Sequence, residues 1–242
     1  MTPIGSNEGS GSESARSEAD FVTALQQRFD RYWDKHRFHL AMHEGRLSRR
    51  QIQAWAANRY YYQKCIPLKD AAILSNCPDP DVRRHWIERI IYHDGRAHGE
   101  GGRDQWVSLA LATGLSEDEI LDDRHVVPGV RFAVDAYVNF SRTRPWIESV
   151  AASLTEMFAP DLMNERLAAL RRHYDWIDPA GLAYFEQRPA RAAKDGEYAL
   201  ELVTRHCVTA EQQRRALAAL DFKCDVLWSL LDAIEHAVAD DA

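Results

Sequence analysis

Helix-starting punctuation recurs along this chain, while the apolar/polar alternation of β-branched residues that a half-buried strand needs is missing. Ser48 with Gln51, Ser116 with Glu119 and Thr209 with Gln212 have the three-residue spacing of a reciprocal cap. In that motif each side chain satisfies a backbone N–H that the first helical turn leaves free. Asp79-Pro80 and Asp178-Pro179 place a capping carboxylate before a residue whose missing N–H is harmless in a first turn. These signals predict helices over residues 48–76, 79–93 and 210–238. Periodic segments at 18–35, 102–113, 128–142, 146–158, 161–173 and 190–206 supply the others. Pro67 falls inside the first long helix and predicts a kink beside Ile66. Linkers are short and no internal repeat is visible. The expectation is an all-α fold, one bundle of about seven helices over residues 18–242, preceded by a solvated tail over residues 1–17.

With 242 residues and 45% apolar content the chain can bury a sizeable core. Its formal charge of −7 is opposite in sign to the footprint that nucleic acid requires, so no nucleic-acid partner is expected. A local cationic pocket still fits inside an acidic protein. No apolar run reaches the roughly 18 residues of a membrane span, so none is expected. The opening MTPIGSNEGSGSESARS lacks the apolar centre of a secretory signal. Cys65, Cys77, Cys207 and Cys224 form neither a CxxC pair nor zinc-ligand spacing. They read as small buried hydrophobes in a protein of the reducing cytoplasm.

A bundle places ligand sites between facing helices, so the informative residues are polar ones on inward faces. In NRYYYQKCIPLKDAA, Arg59, Tyr62/Gln63, Ile66 and Lys69/Asp70 fall close to one helical face. Cations on an apolar stripe are poor core but suit the wall of a pocket for a flat, acidic ligand. The run Tyr60–Tyr62 spreads around the helix, so one or two of its rings can face that pocket. Arg89 and His93 are one turn apart in WIERIIYHDG, beside Trp86 and Ile90. His93 is either a dipole-favoured helix-end residue or a group that moves protons. Tyr184 and Arg188 are likewise one turn apart in LAYFEQR. Tyr137, Glu156 and Lys223 interrupt apolar stretches elsewhere. Singly, each of these is an ordinary snorkelling or hydrogen-bonded residue; their recurrence on several helices is what suggests a shared site.

No metal site is expected. His93, His98 and Glu100 do not share a helical face, and His39 with His43 lacks the ExxH partner helices of a di-iron centre, so that pair reads as structural or surface. The glycines of HDGRAHGEGGRDQW permit a close approach or a hinge, but no strand or GK[ST] makes them a phosphate loop. Walker, GxSxG and HExxH motifs are absent.

The segments NRYYYQKCIPLKDAAILSNCPD, RRHWIERIIYHDG, GVRFAVDAYVNF, SLTEMFAP, AYFEQR and FKCDVLWSLLDA together resemble the pyrroloquinoline-quinone synthase family, over residues 21–236. The resemblance implies a haem-oxygenase-like bundle working without haem, metal or redox cofactor, and a homodimer. It implies the final step of that quinone's synthesis: ring closure and eight-electron oxidation of a bicyclic quinoid precursor by dioxygen, with release of hydrogen peroxide. Carried onto this sequence, it makes His93, Tyr184 and Arg188 the catalytic group around oxygen and peroxide. Arg59, Gln63, Lys69, Arg89, Arg166 and Arg188 become partners of substrate carboxylates. Tyr62, Tyr137, Glu156 and Lys223 become further pocket residues. Met163 stands where some family members carry a histidine that shuttles protons. Three other readings stay open: a non-catalytic quinone carrier, a thiaminase-like hydrolase using Cys207 or Cys224, and a metal-dependent oxidase.

Overall fold

The local signals for helix starts are realised atom by atom. Ser48 Oγ accepts from the Gln51 N–H at 3.3 Å while Gln51 Oε1 accepts from the Ser48 N–H at 2.8 Å. The same box closes at Ser116/Glu119 and at Thr209/Gln212. The computed structural model describes residues 14–239, and among these no strand occurs. They form α1 (Glu18–Gln26), α2 (Arg37–His43), α3 (Arg49–Asn76), α4 (Pro80–Asp94), α5 (Gly102–Ala112), α6 (Glu117–Leu121), α7 (Pro128–Thr143), α8 (Trp146–Ala152), α9 (Ala159–His173), α10 (Ala183–His206) and α11 (Ala210–Ala237). The all-α expectation holds, but eleven α-helices among the described residues replace the expected seven or so.

The excess comes from short elements that periodicity merges. The segment read as one helix over 18–35 breaks after Gln26 into two 3-10 turns, Gln27–Arg31 and Trp33–Lys35, joined by Tyr32 in an extended conformation. That break buries Tyr32 and Trp33 together, whereas neighbours on one α-helix point about 100° apart. The segment read as 146–158 ends its α-turns at Ala152 and tightens into the 3-10 turn Ser153–Met157. Residues three apart eclipse in such a turn, so Ser153 and Glu156 share one side. Asp178-Pro179 opens the 3-10 turn Pro179–Leu182 rather than an α-helix, and α10 begins at Ala183, seven residues ahead of the expected start. The α2 helix was not predicted.

Of the tail expected over residues 1–17, residues 1–13 lie outside the described residues. The Arg16 backbone N–H and C=O both bond the Gln213 side chain, at 2.8 and 3.1 Å, and Ser17 caps α1.

The α3 helix packs on α4, α5 and α7, α11 on α7 and α8, and α10 on α9 and the Ser153–Met157 turn. Trp55, Trp106 and Phe185 meet at the centre, with ring centroids 5.3–6.3 Å apart. Both walls of the interior that matters below contain a proline: α3 runs on through Pro67, and α10 through Pro189. Each removes the N–H that would bond the carbonyl four residues earlier, those of Gln63 and Phe185.

Candidate active site

The face predicted on α3 is the face observed. Arg59, Gln63, Lys69 and Asp70 are buried there, and Tyr62 is partly buried beside them. Of the tyrosine run, Tyr62 is the one that reaches the site: Tyr61 turns away to donate to Asp135 at 2.8 Å.

Opposite this face lies a ring of charges. Arg89 from α4 and Arg188 from α10 both reach Glu156 and Asp195, at distances between 2.7 and 3.2 Å. Asp70 lies 3.4 Å from Arg89 Nε and 2.6 Å from Lys69 Nζ, and accepts from Trp86 Nε1 at 2.8 Å. Lys69 also donates to Ser153 Oγ at 2.9 Å. Burial raises the proton affinity of Glu156, but Arg188, Arg89 and Lys69 outweigh it and hold the carboxyl at about 2. Burial opposes the charges on Arg89 and Arg188 as well, and their carboxylates reverse that effect, so both end above the usual arginine range.

Three further basic side chains have no carboxylate at salt-bridge distance among the described residues. Arg59 lies against the rings of Tyr62, Trp33 and Trp106, at 4.4, 4.9 and 5.4 Å, and its Nε and Nη1 have no hydrogen-bond partner. Arg166 donates to His39 Nε2 at 2.8 Å and leaves its Nε unpartnered. Burial, and Arg59 close by, press its guanidinium down to about 9. Lys223 sits between the Tyr62 and Tyr137 rings, at 4.3 and 3.9 Å, and donates to Tyr62 Oη at 2.8 Å. Burial, with Lys69 and Arg59 adding repulsion, drives it well below the ordinary lysine range. Buried cations without a counter-ion are costly, so this end of the site is built for an anion that arrives from outside.

His93, at the end of α4, is fully buried and neither ring nitrogen has a hydrogen-bond partner among the described residues. Burial first, then Arg188, Arg89, Lys69 and Arg191, hold its pKa well below the ordinary value, so the imidazole is neutral. The glycine-rich loop folds back over it: a Cβ on Gly101 would stand 2.3 Å from the His93 carbonyl oxygen. Gln63 Nε2 donates to Tyr184 Oη at 3.0 Å, which occupies a lone pair and leaves the phenol proton free to point elsewhere. Tyr137 reaches Ser153 Oγ at 3.4 Å.

A crevice of about 40 Å³ is lined by Trp33, Arg59, Tyr62, Gln63, Glu156, Tyr184 and Arg188 among others, whereas Lys69, Arg89, His93, Tyr137, Arg166 and Lys223 are buried without lining it. Met163 lines it too, so the position without a proton-shuttling histidine does face the site. Space for a few waters is not space for a tricyclic ligand, so binding one requires the walls to separate. Roomier grooves, including one of about 400 Å³ beside Gln53, Asn58 and Val238, are lined by none of the residues expected to bind substrate or carry catalysis.

The sequence reading missed Asp195, which stands among KDGEYA like an ordinary surface acid, and Trp33, which shows no pattern of its own. His39 is structural as read, being buried against Arg166 and the Trp33 carbonyl. His98 and Glu100 are exposed and do not converge with His93. The cluster of metal-ligand groups found among the described residues is the buried His36 with the exposed Asp232 and the partly buried Glu235, away from the crevice. There His36 Nδ1 accepts from the Phe38 N–H, and Arg37 engages Glu235. All four cysteines are free and buried, with burial pushing Cys207 up to about 11 and Cys224 to about 12.

Among curated proteins, the chain is 52% identical over 226 residues to a pyrroloquinoline-quinone synthase of Pseudomonas aeruginosa, covering 93% of this chain and 90% of that one. It is 51% identical over 220 residues to one of Klebsiella pneumoniae, covering 90% and 87%. Among solved structures it resembles a domain with a heme oxygenase-like fold from Shewanella denitrificans, with a TM-score of 0.76 at 14% identity over 93% of this chain and 95% of that one. A TenA homolog from Pseudomonas syringae matches with a TM-score of 0.72 at 14% identity, over 93% and 98%. At that identity the two structures establish the heme oxygenase-like fold. The sequence profile of the TENA/THI-4/PQQC family matches residues 23–233, and this chain belongs to that family.

Proposed function

We propose that this protein is a pyrroloquinoline-quinone synthase that carries out ring closure and eight-electron oxidation of a bicyclic quinoid polycarboxylate. The oxidant in this reading is dioxygen, hydrogen peroxide is released, and neither metal nor redox cofactor takes part. The observation that carries the reading is the pairing of two buried guanidinium groups, Arg59 and Arg166, and the buried Lys223 amine, none with a carboxylate at salt-bridge distance among the described residues, with a neutral His93 free at both nitrogens. Half-identity to named synthases over nine-tenths of the chain supports the same role.

The substrate's carboxylates would meet Arg59 and Arg166, where the guanidinium fork donates to two oxygens at once. Their negative charge offsets the field of Arg188, Arg89 and Lys69 on His93 and raises its affinity for a proton. His93 is then the group that takes protons from the ring system, and Tyr184, with its oxygen held by Gln63, is a proton donor lining the crevice. A quinoid ring is itself able to pass electrons to oxygen once deprotonated, so the protein supplies orientation, charge stabilisation and proton transfer. The donor set suits such a polyanion better than the porphyrin after which the fold is named, whose broad apolar face would lie against guanidinium groups.

The same reading makes the protein a homodimer of the cytoplasm that needs neither nucleic acid nor membrane. No helix among the described residues is long and apolar enough to cross a membrane. The deciding experiment is aerobic incubation of chelator-treated protein with the bicyclic precursor, following product mass and oxygen uptake together. Tricyclic quinone formed with oxygen consumption is the expected result. Tight binding with neither signal would replace the synthase by a carrier.

A further inference from the structure

Two buried histidines of this protein, neither of them lining the crevice, are held in opposite ways, and the contrast gives a role to His39. His93 has both ring nitrogens unpartnered. His39, on α2, has both engaged: Nδ1 is 3.0 Å from the Trp33 carbonyl oxygen and Nε2 is 2.8 Å from Arg166 Nη2. A carbonyl only accepts, so the proton of His39 sits on Nδ1 and the Nε2 lone pair accepts from the guanidinium. Protonating Nε2 would set one N–H against another, so the arrangement requires a neutral ring.

His39 is the acceptor that the described residues offer Arg166. The Trp55 and Phe185 rings lie 5.4 and 5.6 Å from its guanidinium carbon, and Arg59, Tyr32, Tyr184 and Glu165 are close enough to act on its charge. Ala159 and Met163 line the crevice, and Arg166 continues their face of α9, three residues beyond Met163. A buried guanidinium is ordinarily matched with a carboxylate, as Arg89 and Arg188 are here. Arg166 is instead fixed by a neutral group that aims it and leaves its charge whole. His39 also grips the backbone of Trp33, whose ring covers Arg59, so one imidazole ties together the two arginines at this end.

We propose that His39 is a positioning residue that holds Arg166 as an unneutralised cation for a carboxylate of the ligand, making the Arg59–Arg166 end the anion-reading end of the crevice. This deepens the synthase reading and rests on it. Arg89 and Arg188, already matched by Glu156 and Asp195, serve the other end, beside His93.

The test compares His39→Glu, His39→Gln and His39→Leu in the full chain. The ligands are the tricyclic quinone and, separately, a plain aromatic polycarboxylate, pyridine-2,4,6-tricarboxylate. Glu neutralises Arg166 from within; it is expected to weaken both ligands at least tenfold and to raise KM by more than it lowers kcat. Gln can donate to the Trp33 carbonyl while accepting from Arg166, and is expected to stay within threefold of wild type. His39→Glu binding both ligands as tightly as wild type would overturn the proposal. If His39→Glu does not fold, Leu decides: it lacks the acceptor, and affinities equal to those of His39→Gln would overturn the role. Wild-type protein that binds the tricarboxylate but not the quinone would sink the synthase reading while His39 is still scored; failure to bind either overturns both.

Discussion

Arg89 and Arg188, on different helices, are joined through one oxygen: Asp195 Oδ2 lies 2.9 Å from Nη1 of the first and 3.0 Å from Nη1 of the second. Glu156 closes the ring with its two oxygens, one to each arginine. Two like charges are thereby brought together without an external ligand, and His93 sits in the field they create.

Replacing His93 by Ala is expected to slow oxidation at least a hundredfold, the usual contribution of a positioned acid–base group. Binding of the quinone should stay within about threefold, because the cations that hold carboxylates are untouched. Single-turnover absorbance with oxygen uptake measures both. Full-rate turnover would remove His93 from the mechanism.

Arg188→Ala has a double consequence. It leaves Glu156 and Asp195 buried with Arg89 as their remaining shared arginine, a loss expected to lower stability by about 3–5 kcal/mol. It should also weaken substrate binding and slow the reaction. Urea unfolding and titration with the quinone report the two effects, and unchanged affinity with unchanged rate would contradict the assignment.

The stability of the empty protein should fall on acidification in two stages. Burial keeps His39 and His93 unprotonated in the folded chain, while in the unfolded chain they take up protons below about pH 6.5. The unfolded state then binds more protons, so stability declines as pH drops below that value, by about 1.4 kcal/mol per pH unit for each histidine. Glu156, held at about 2, adds a further loss as pH falls from the ordinary glutamate value of 4.5 towards 2. His39→Gln should reduce the first slope and leave the second. A flat urea midpoint between pH 7.5 and 5 would contradict the neutral assignment of both histidines.

Gly196 touches the turn that carries Glu156: a Cβ there would stand 2.9 Å from the Met157 backbone nitrogen and 3.2 Å from the Glu156 carbonyl carbon. Gly196→Ala should push that turn off the arginine pair, with a stability loss of about 1–3 kcal/mol and a clear fall in turnover. Wild-type stability and rate would show that the turn yields freely.

Alkylation with N-ethylmaleimide should leave activity intact in the folded protein. All four thiols are buried, and burial raises Cys65, Cys207 and Cys224 to about 11, 11 and 12, far from the thiolate a nucleophile needs. Stoichiometric inactivation with labelling of Cys207 or Cys224 would revive the thiaminase-like chemistry.

What could be read from the sequence was what is local. Capping at Ser48, Asp79, Ser116 and Thr209 depends on residues two or three apart, and each cap was found where its spacing put it. The inward stripe of α3 was equally visible, because arginine and lysine on an apolar face break a simple rule. The 3-10 turns were not: their reason is that Tyr32 and Trp33, or Ser153 and Glu156, meet partners far along the chain. Asp195 escaped for the same cause, and so did the pairing of His39 with Arg166. Nothing in KDGEYA or RFHLAMH marks which of its polar groups faces an arginine from another helix.

The unmatched cations at one end also decide what the protein ignores. A simple organic acid can answer one of Arg59, Arg166 or Lys223 and must leave the others as they were. A rigid skeleton carrying several carboxylates answers them together, each contact raising the effective concentration of the next. The crevice therefore counts charges on a single framework, and abundant monoacids become weak competitors through avidity, without any contact built to exclude them.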